Sequence, residues 1–214
     1  MRIGILGTGD VGRALGTGFV ELGHEVTMGS REAGNEKARE WAASAGPRAS
    51  TGTFADAAAF GELAVLATLW AGTENAIRIA GPQKLAGKVV IDATNPLDFS
   101  QGVPPRLAVG HTDSGGEQVQ RWLAGARVVK AFNTVGHPHM VQPRFPCNPP
   151  TMFIAGNDEG AKRTVTDICT AFGWETIDTG GIEESRLLEA LCMLFLNYAF
   201  RTGTWNHAFK LLRK

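Results

Sequence analysis

The chain has 214 residues, 43% of them hydrophobic, enough for one large domain or one domain with a small appendage. Lys plus Arg equals Asp plus Glu at 21 each, so no global field draws the chain to nucleic acid or anionic lipid, and any positive patch must be local. No apolar run approaches the roughly 20 residues that span a bilayer; the pattern that starts at Ile3 leaves no room for a signal peptide, and the scattered Cys147, Cys169 and Cys192 argue for a reducing, cytoplasmic setting without a disulfide frame.

The first predicted strand is Arg2 to Leu6. Gly7-Thr8-Gly9-Asp10-Val11-Gly12 follows and opens a helix over Arg13 to Leu22 that closes at Gly23. In such a unit Gly7 permits the tight turn, Gly9 lets the backbone approach a pyrophosphate, and Gly12 lets helix and strand pack closely. The phosphates then meet bare N–H groups at the positive end of a helix, so Thr8, Asp10 and Val11 join the glycines as candidate cofactor residues.

The second strand, Glu25 to Met28, leads into Gly29-Ser30-Arg31, with Ser30 eighteen positions after Gly12. Sites for NAD hold an acid near this point for the ribose 2′-hydroxyl. A carboxylate would repel a 2′-phosphate, whereas Arg31 can grip it bidentately and Ser30 can donate a hydrogen bond, so NADP is the expected cofactor. Glu32 lies one residue too late to reverse this.

Short apolar runs then alternate with amphipathic stretches, the pattern of a Rossmann-type α/β fold with a doubly wound, mostly parallel sheet. Further strands are predicted at Arg48 to Gly52, Leu63 to Ala67, Val89 to Asp92, Arg127 to Phe132, Thr151 to Ala155 and Glu175 to Asp178. Helices fall between them at about Asn35 to Ala45, Phe54 to Phe60, Thr73 to Ala80, Gly116 to Leu123 and Glu159 to Phe172. The last, Glu183 to Phe200, is polar at first and then apolar nearly all round, so it should be buried against its own sheet, at a dimer contact or as the lid of a substrate pocket. Pro143 to Pro150 reads as a surface connection. The expected organisation is an NADP-binding domain over residues 1–180 and a helical C-terminal extension over 181–214.

Ligands of open α/β sheets bind beyond the carboxyl ends of the strands. Thr68-Leu69-Trp70 follows the fourth strand, Thr94-Asn95-Pro96 the fifth, and Asn133-Thr134-Val135-Gly136-His137 the sixth. Thr94, Asn95 and Asn133 can hydrogen-bond a ribose or carboxamide, and Leu69 and Trp70 offer an apolar wall to a nicotinamide; Asn95-Pro96 and Asn133-Thr134 also suit ordinary turns. Thr68, Leu69, Thr94, Asn95, Pro96, Ala131 and Asn133 are therefore expected on the cofactor side. Trp70, Thr134, Val135, Gly136 and His137 are expected on the side of a second substrate.

Proton-transfer signatures are missing. Tyr198, the one tyrosine, has Thr202 rather than Lys four residues on, and Asn197 has Met193 rather than Lys four residues before it. Alcohol and hydroxyacid oxidation are thereby disfavoured, and no catalytic side chain is expected. His137 and His139 read as loop residues rather than half of a metal site, since no other cluster has ligand spacing. Lys130, ending a strand, reads as a structural charge.

The segments Gly7 to Gly12, Gly29-Ser30-Arg31 with Lys37, Ala93 to Leu97, Val128 to Thr134, Phe153 to Asp158 and Ala208 to Leu212 resemble the family of NADPH-dependent reductases of the deazaflavin coenzyme F420, in its broad bacterial branch. The resemblance spans essentially the whole chain. It implies a Rossmann domain with a small helical C-terminal part, and NADP held through Thr8, Gly9, Val11, Ser30, Arg31 and Lys37. It also implies a second flat ring, F420 or a flavin, stacked near Thr94 to Pro96 and Asn133 to His137. Trp70 and Ser100 to Thr112 fall outside the motifs that carry the resemblance. Two function classes follow: an NADPH-dependent reductase of a small-molecule deazaflavin or flavin-like acceptor, with a flavin or ferric reductase as its variant, and a non-catalytic NADP-sensing module whose last helix reports occupancy. A homodimer whose interface includes the helix from Leu187 to Phe200 is expected.

Overall fold

Alternation within the strands divides the core into two layers. Ile3 and Ile5 of the first strand point to one face and Leu6 to the other; Val65 and Ile91 follow the first pair, and Leu66 and Val90 follow Leu6. In the computed structural model, which describes residues 1–146 and 149–214, these runs form strands β1 Arg2–Leu6, β2 Glu25–Ser30, β3 Ala49–Thr53, β4 Leu63–Leu66 and β5 Val89–Asp92. A hairpin, β6 Leu97–Asp98 with β7 Arg106–Leu107, precedes β8 Arg127–Lys130, β9 Thr151–Gly156 and β10 Glu175–Asp178. The helices are α1 Asp10–Glu21, α2 Glu36–Ala45, α3 Phe54–Phe60, α4 Trp70–Ala80, α5 Gly115–Trp122, α6 Glu159–Ala171 and α7 Ser185–Thr202.

The main sheet has the order β10-β9-β8-β5-β4-β1-β2-β3. The six strands from β8 to β3 are parallel; β9 runs antiparallel to β8, and β10 parallel to β9. The chain winds outward from β1 to β3, then returns to β4 on the other side of β1 and winds away again. The switch point therefore lies between β1 and β4, where ligands of such sheets enter.

Four details depart from the sequence-based expectations. Helix α4 begins at Trp70, not Thr73, because the Thr73 hydroxyl donates to the Leu69 carbonyl at 3.1 Å and ties the first turn together. The region Ser100 to Thr112 includes part of the β6–β7 hairpin, too short to leave a period in the sequence. Strand β8 ends at Lys130, and Phe132 takes a left-handed φ of 62°, which turns the chain back over the sheet end. Helix α7 buries one face only, through Ser185, Leu188, Glu189, Cys192, Phe195 and Ala199, while Leu187 and Leu194 are 65% and 58% exposed. An 18-residue helix on the flank of a sheet meets partners along one stripe, so its outer apolar stripe stays open within a single chain. Pro143 to Pro150 includes Cys147 and Asn148, which lie outside the described residues.

Candidate cofactor site

The glycine turn separates packing from binding. Gly7 has φ +135° and its N–H donates to the Gly29 carbonyl at 3.2 Å; a Cβ there would strike the Ala67 carbonyl. A Cβ on Gly12 would strike the Gly7 carbonyl, whereas one on Gly9 would meet nothing within 4 Å. Gly9 caps α1 without a side-chain hydrogen bond, so the first amides of α1 face open space. That open cradle fits a dinucleotide diphosphate.

Charge gathers around it. Asp10 is exposed in the first turn of α1 and pairs with Arg13 one turn on. The Arg13 hydrogen bond holds the Asp10 carboxyl below its usual range against a smaller opposing effect of burial, and His137 and Lys37 pull the same way. Lys37 comes from α2, whose N-terminus is capped by Asn35 accepting from the Ala38 N–H at 3.1 Å. His137 lies with Asp10 and Arg13 on a cleft of about 450 Å³ that also takes in Thr17, Glu21 and Gln142. His137 thus stands across from the flank of α1 that runs from Asp10 to Glu21. His139 instead bonds the Asn206 side-chain oxygen at 3.1 Å, and no group of metal-ligating residues exists among the described residues.

At the end of β2, Ser30 is buried and donates to the Glu32 carbonyl. Arg31, the next residue, is exposed and has no ion-pair partner among the described residues. A guanidinium with free donors beside the sheet edge suits a dianionic group.

The ends of β5 and β8 are stitched together from inside. Asp92 Oδ1 accepts from the Thr94 N–H at 2.9 Å and from its hydroxyl at 2.7 Å. Lys130 is fully buried; its Nζ lies 2.7 Å from Asp92 Oδ2 and 2.9 Å from Glu189 Oε1, and donates to the Thr94 carbonyl at 2.9 Å. Burial works against the ammonium, but Asp92 and Glu189 outweigh it and raise its pKa above the ordinary lysine value. Asn133, also buried, donates to the Asn95 side-chain oxygen at 3.0 Å and to the Leu188 carbonyl at 3.0 Å, and its own Oδ1 has no partner.

Thr94 and Asn133 thus direct their side-chain donors inward, and Pro96, Ala131, Thr134 and Val135 are buried around them. Gly136 sits at the rim, where a Cβ would come within 3.5 Å of the Phe195 ring. The Thr68 hydroxyl meets that of Thr73 at 2.8 Å. Leu69 is 83% exposed, whereas Trp70 turns away and stacks on Trp122 with ring centres 5.5 Å apart. Sequence reasoning named Lys130 as a structural charge but missed its partners Asp92 and Glu189, and Arg13. The signal for the first was a charge at the buried end of each of two neighbouring strands, Asp92 after Val89 to Ile91 and Lys130 after Val128 and Val129, which needs a counter-charge.

Residues 2–96 match the family described as NADP oxidoreductase, coenzyme F420-dependent. Across 92% of its length the chain is 32% identical to the F420-dependent NADP reductase of Methanocaldococcus jannaschii, covering 91% of that protein. The chain belongs to this family. It is an NADP-dependent oxidoreductase. A crystal structure from Arthrobacter sp. FB24, assigned provisionally as an F420-dependent NADP reductase, superposes with a TM-score of 0.94 at 40% identity, both chains being covered in full. The chain is also 28% identical to the rat metalloreductase STEAP3 over 91% of its own length, which spans 37% of that larger protein. No helix among the described residues is long and apolar enough to cross a membrane.

Proposed function

We propose that this family member exchanges hydride between NADPH and a deazaflavin of the F420 type. The observation that carries the reading is the full-length likeness to the M. jannaschii reductase on a chain whose β2 ends in the free guanidinium of Arg31. NADPH, when bound, supplies the hydride, and a transfer of this kind depends on alignment and exclusion of water more than on an acid or base. The open amides at Gly9 to Val11 hold the diphosphate, with Arg13 screening Asp10 from it. Arg31 and Lys37 take the 2′-phosphate, and Leu69 covers the cofactor with an apolar side chain. Ser30, expected from the sequence to donate to that phosphate, instead donates its hydroxyl to the Glu32 carbonyl within the turn that carries Arg31. Thr94 to Pro96 and Asn133 to His137 frame the acceptor without moving a proton, and the anion that hydride addition leaves on the ring takes its proton from water.

In this reading residues 1–180 bind NADP and residues 181–214 wall the acceptor pocket. The outward stripe of α7, Leu187, Leu194 and Tyr198, pairs with a second copy in a homodimer. A reducing cytoplasm suits the buried free thiols Cys169 and Cys192, both pushed up to about 12 by burial. The likeness to STEAP3 supports a second reading, in which the acceptor is a flavin. Anaerobic NADPH oxidation with F420, FMN and FAD as separate acceptors tests both: the first reading requires F420 to be preferred, and preference for a flavin favours the second. Oxidation with none of the three would leave an NADP-binding module. Light scattering at micromolar concentration tests the dimer, which a monomeric mass would exclude.

A further inference from the structure

The buried cluster of Asp92, Lys130 and Glu189 is unused by the reaction just described, yet it touches four elements at once. Asp92 ends β5, Lys130 ends β8 and Glu189 projects from the second turn of α7. Glu189 also accepts from the Gly115 and Gly116 N–H groups, each at 2.9 Å, and so supplies the first two amides of α5 with partners. Ser114 meanwhile caps the same helix by accepting from the Glu117 N–H at 3.1 Å. Every oxygen of the two carboxylates lies within 2.9 Å of a donor nitrogen or hydroxyl.

Two carboxylates and one ammonium leave one negative charge, set against the positive end of α5. Burying such a group is costly, and replacing it with apolar residues often stabilises a protein, so stability alone is a poor account of it. What distinguishes this cluster is the third contact of the ammonium. Lys130 Nζ holds the carbonyl of Thr94 at 2.9 Å, and Thr94 leads directly into Asn95-Pro96. Pro96 and Trp70 crowd Gly115, where a Cβ would come within 3.2 Å of Pro96 and 3.1 Å of Trp70. The nicotinamide-side loop, the start of α5 and the α7 wall therefore meet on the Lys130–Glu189 pair.

Resting on the hydride-transfer reading above, we propose that Lys130 and Glu189 are positioning residues: through the Thr94 carbonyl and the α5 amides they fix the loop Thr94 to Pro96 relative to α7, and so set the two rings at reacting distance. They touch neither ring. Their effect falls on the transfer step, because the adenosine half of the cofactor is held elsewhere, at Gly9 to Val11 and Arg31.

The test is Glu189→Gln, which keeps the size of the side chain but sets an amide N–H₂ against donors, with folding checked by circular dichroism. Expected are NADPH binding within about threefold of the wild type, a single-turnover hydride-transfer rate lower by about tenfold to a hundredfold, and weaker fluorescence of the bound reduced nicotinamide as the ring loses its fixed seat. Unchanged rate and fluorescence in the folded variant would overturn the proposal, as would NADPH affinity falling in step with the rate. The fluorescence comparison needs no acceptor, so it stands even where the wild type reduces none and the hydride-transfer reading itself fails. Should Glu189→Gln not fold, hydrogen exchange on the wild type decides: the amides of Thr94, Gly115 and Gly116 should open together, and opening constants more than tenfold apart would contradict a shared anchor.

Discussion

Asn95 and Asn133 exchange hydrogen bonds across the ends of β5 and β8. The Asn95 amide donates to the Asn133 carbonyl at 2.9 Å, and the Asn133 amide donates back to the Asn95 side-chain oxygen at 3.0 Å. The same Asn133 amide reaches the Leu188 carbonyl of α7. Asn133→Ala removes the donor that serves both the Asn95 side-chain oxygen and the Leu188 carbonyl, and should cost about 1 to 3 kcal/mol in urea unfolding. A loss below about 0.5 kcal/mol would mean that the pair does not hold the two loops together.

Gly7 and Gly9 should respond oppositely to the same change. Gly7→Ala forces a side chain into a left-handed φ and against the Ala67 carbonyl, and should lower stability by roughly 2 kcal/mol or more. Gly9→Ala has open space for its methyl and should unfold like the wild type, yet bind NADPH at least tenfold more weakly because the methyl stands where the diphosphate approaches. Thermal unfolding and calorimetric titration of the two variants read the contrast.

Arg31→Ala should weaken NADPH binding by about 1.5 to 3 kcal/mol, the worth of hydrogen bonds to a charged group, and leave NADH binding nearly unchanged. Equal wild-type affinity for the two cofactors in calorimetry would count against the 2′-phosphate role.

Asp113 offers a pH signature remote from the site. Its fork to Arg121, at 2.7 and 3.0 Å, is the main cause that holds its carboxyl at about 2, against a smaller effect of burial. A carboxyl depressed on folding adds stability that is present above its unfolded pKa of roughly 3.9 and lost as pH falls toward 2. The pair is largely solvent-exposed, so its worth at neutral pH is at most about 1 kcal/mol. Asp113→Asn should therefore be slightly less stable than the wild type at pH 7, with the gap closing between about pH 4 and pH 2. A constant gap across that range would exclude the linkage.

Much of this was legible in the chain. Short apolar runs between amphipathic stretches gave the eight strands of the main sheet, and glycine spacing gave the turn before α1, because run length and turn chemistry are local properties. What the sequence hid is set by tertiary partners. Trp70 looked like a loop residue because nothing local shows that Trp122 waits to stack on it. Thr94 and Asn133 looked like ligand contacts because their donors suit a ribose; Thr94 instead bonds Asp92 two residues back, and Asn133 is tied to Asn95 and to Leu188 of α7, 55 residues away in sequence. The apolar circumference of α7 was visible, but not which stripe its own sheet would leave exposed.

Filling the rim should separate cofactor from acceptor. Gly136 has φ −70° and ψ 144°, which any residue adopts, so Gly136→Phe is accommodated by the backbone while its ring occupies the space beside Phe195. NADPH affinity should stay within about threefold, and acceptor turnover should fall at least tenfold. Parallel losses of both would place the rim on the cofactor side.

The most direct measurement is a stopped-flow experiment in which the NADPH-loaded protein meets oxidised F420 under anaerobic conditions, with deuterium at the transferable position of the nicotinamide. Direct transfer requires the label to appear on the deazaflavin, with NADPH lost and F420 reduced at one and the same rate that slows on deuteration. NADPH that binds tightly yet is not oxidised by F420, or a reduced acceptor without the label, would contradict it.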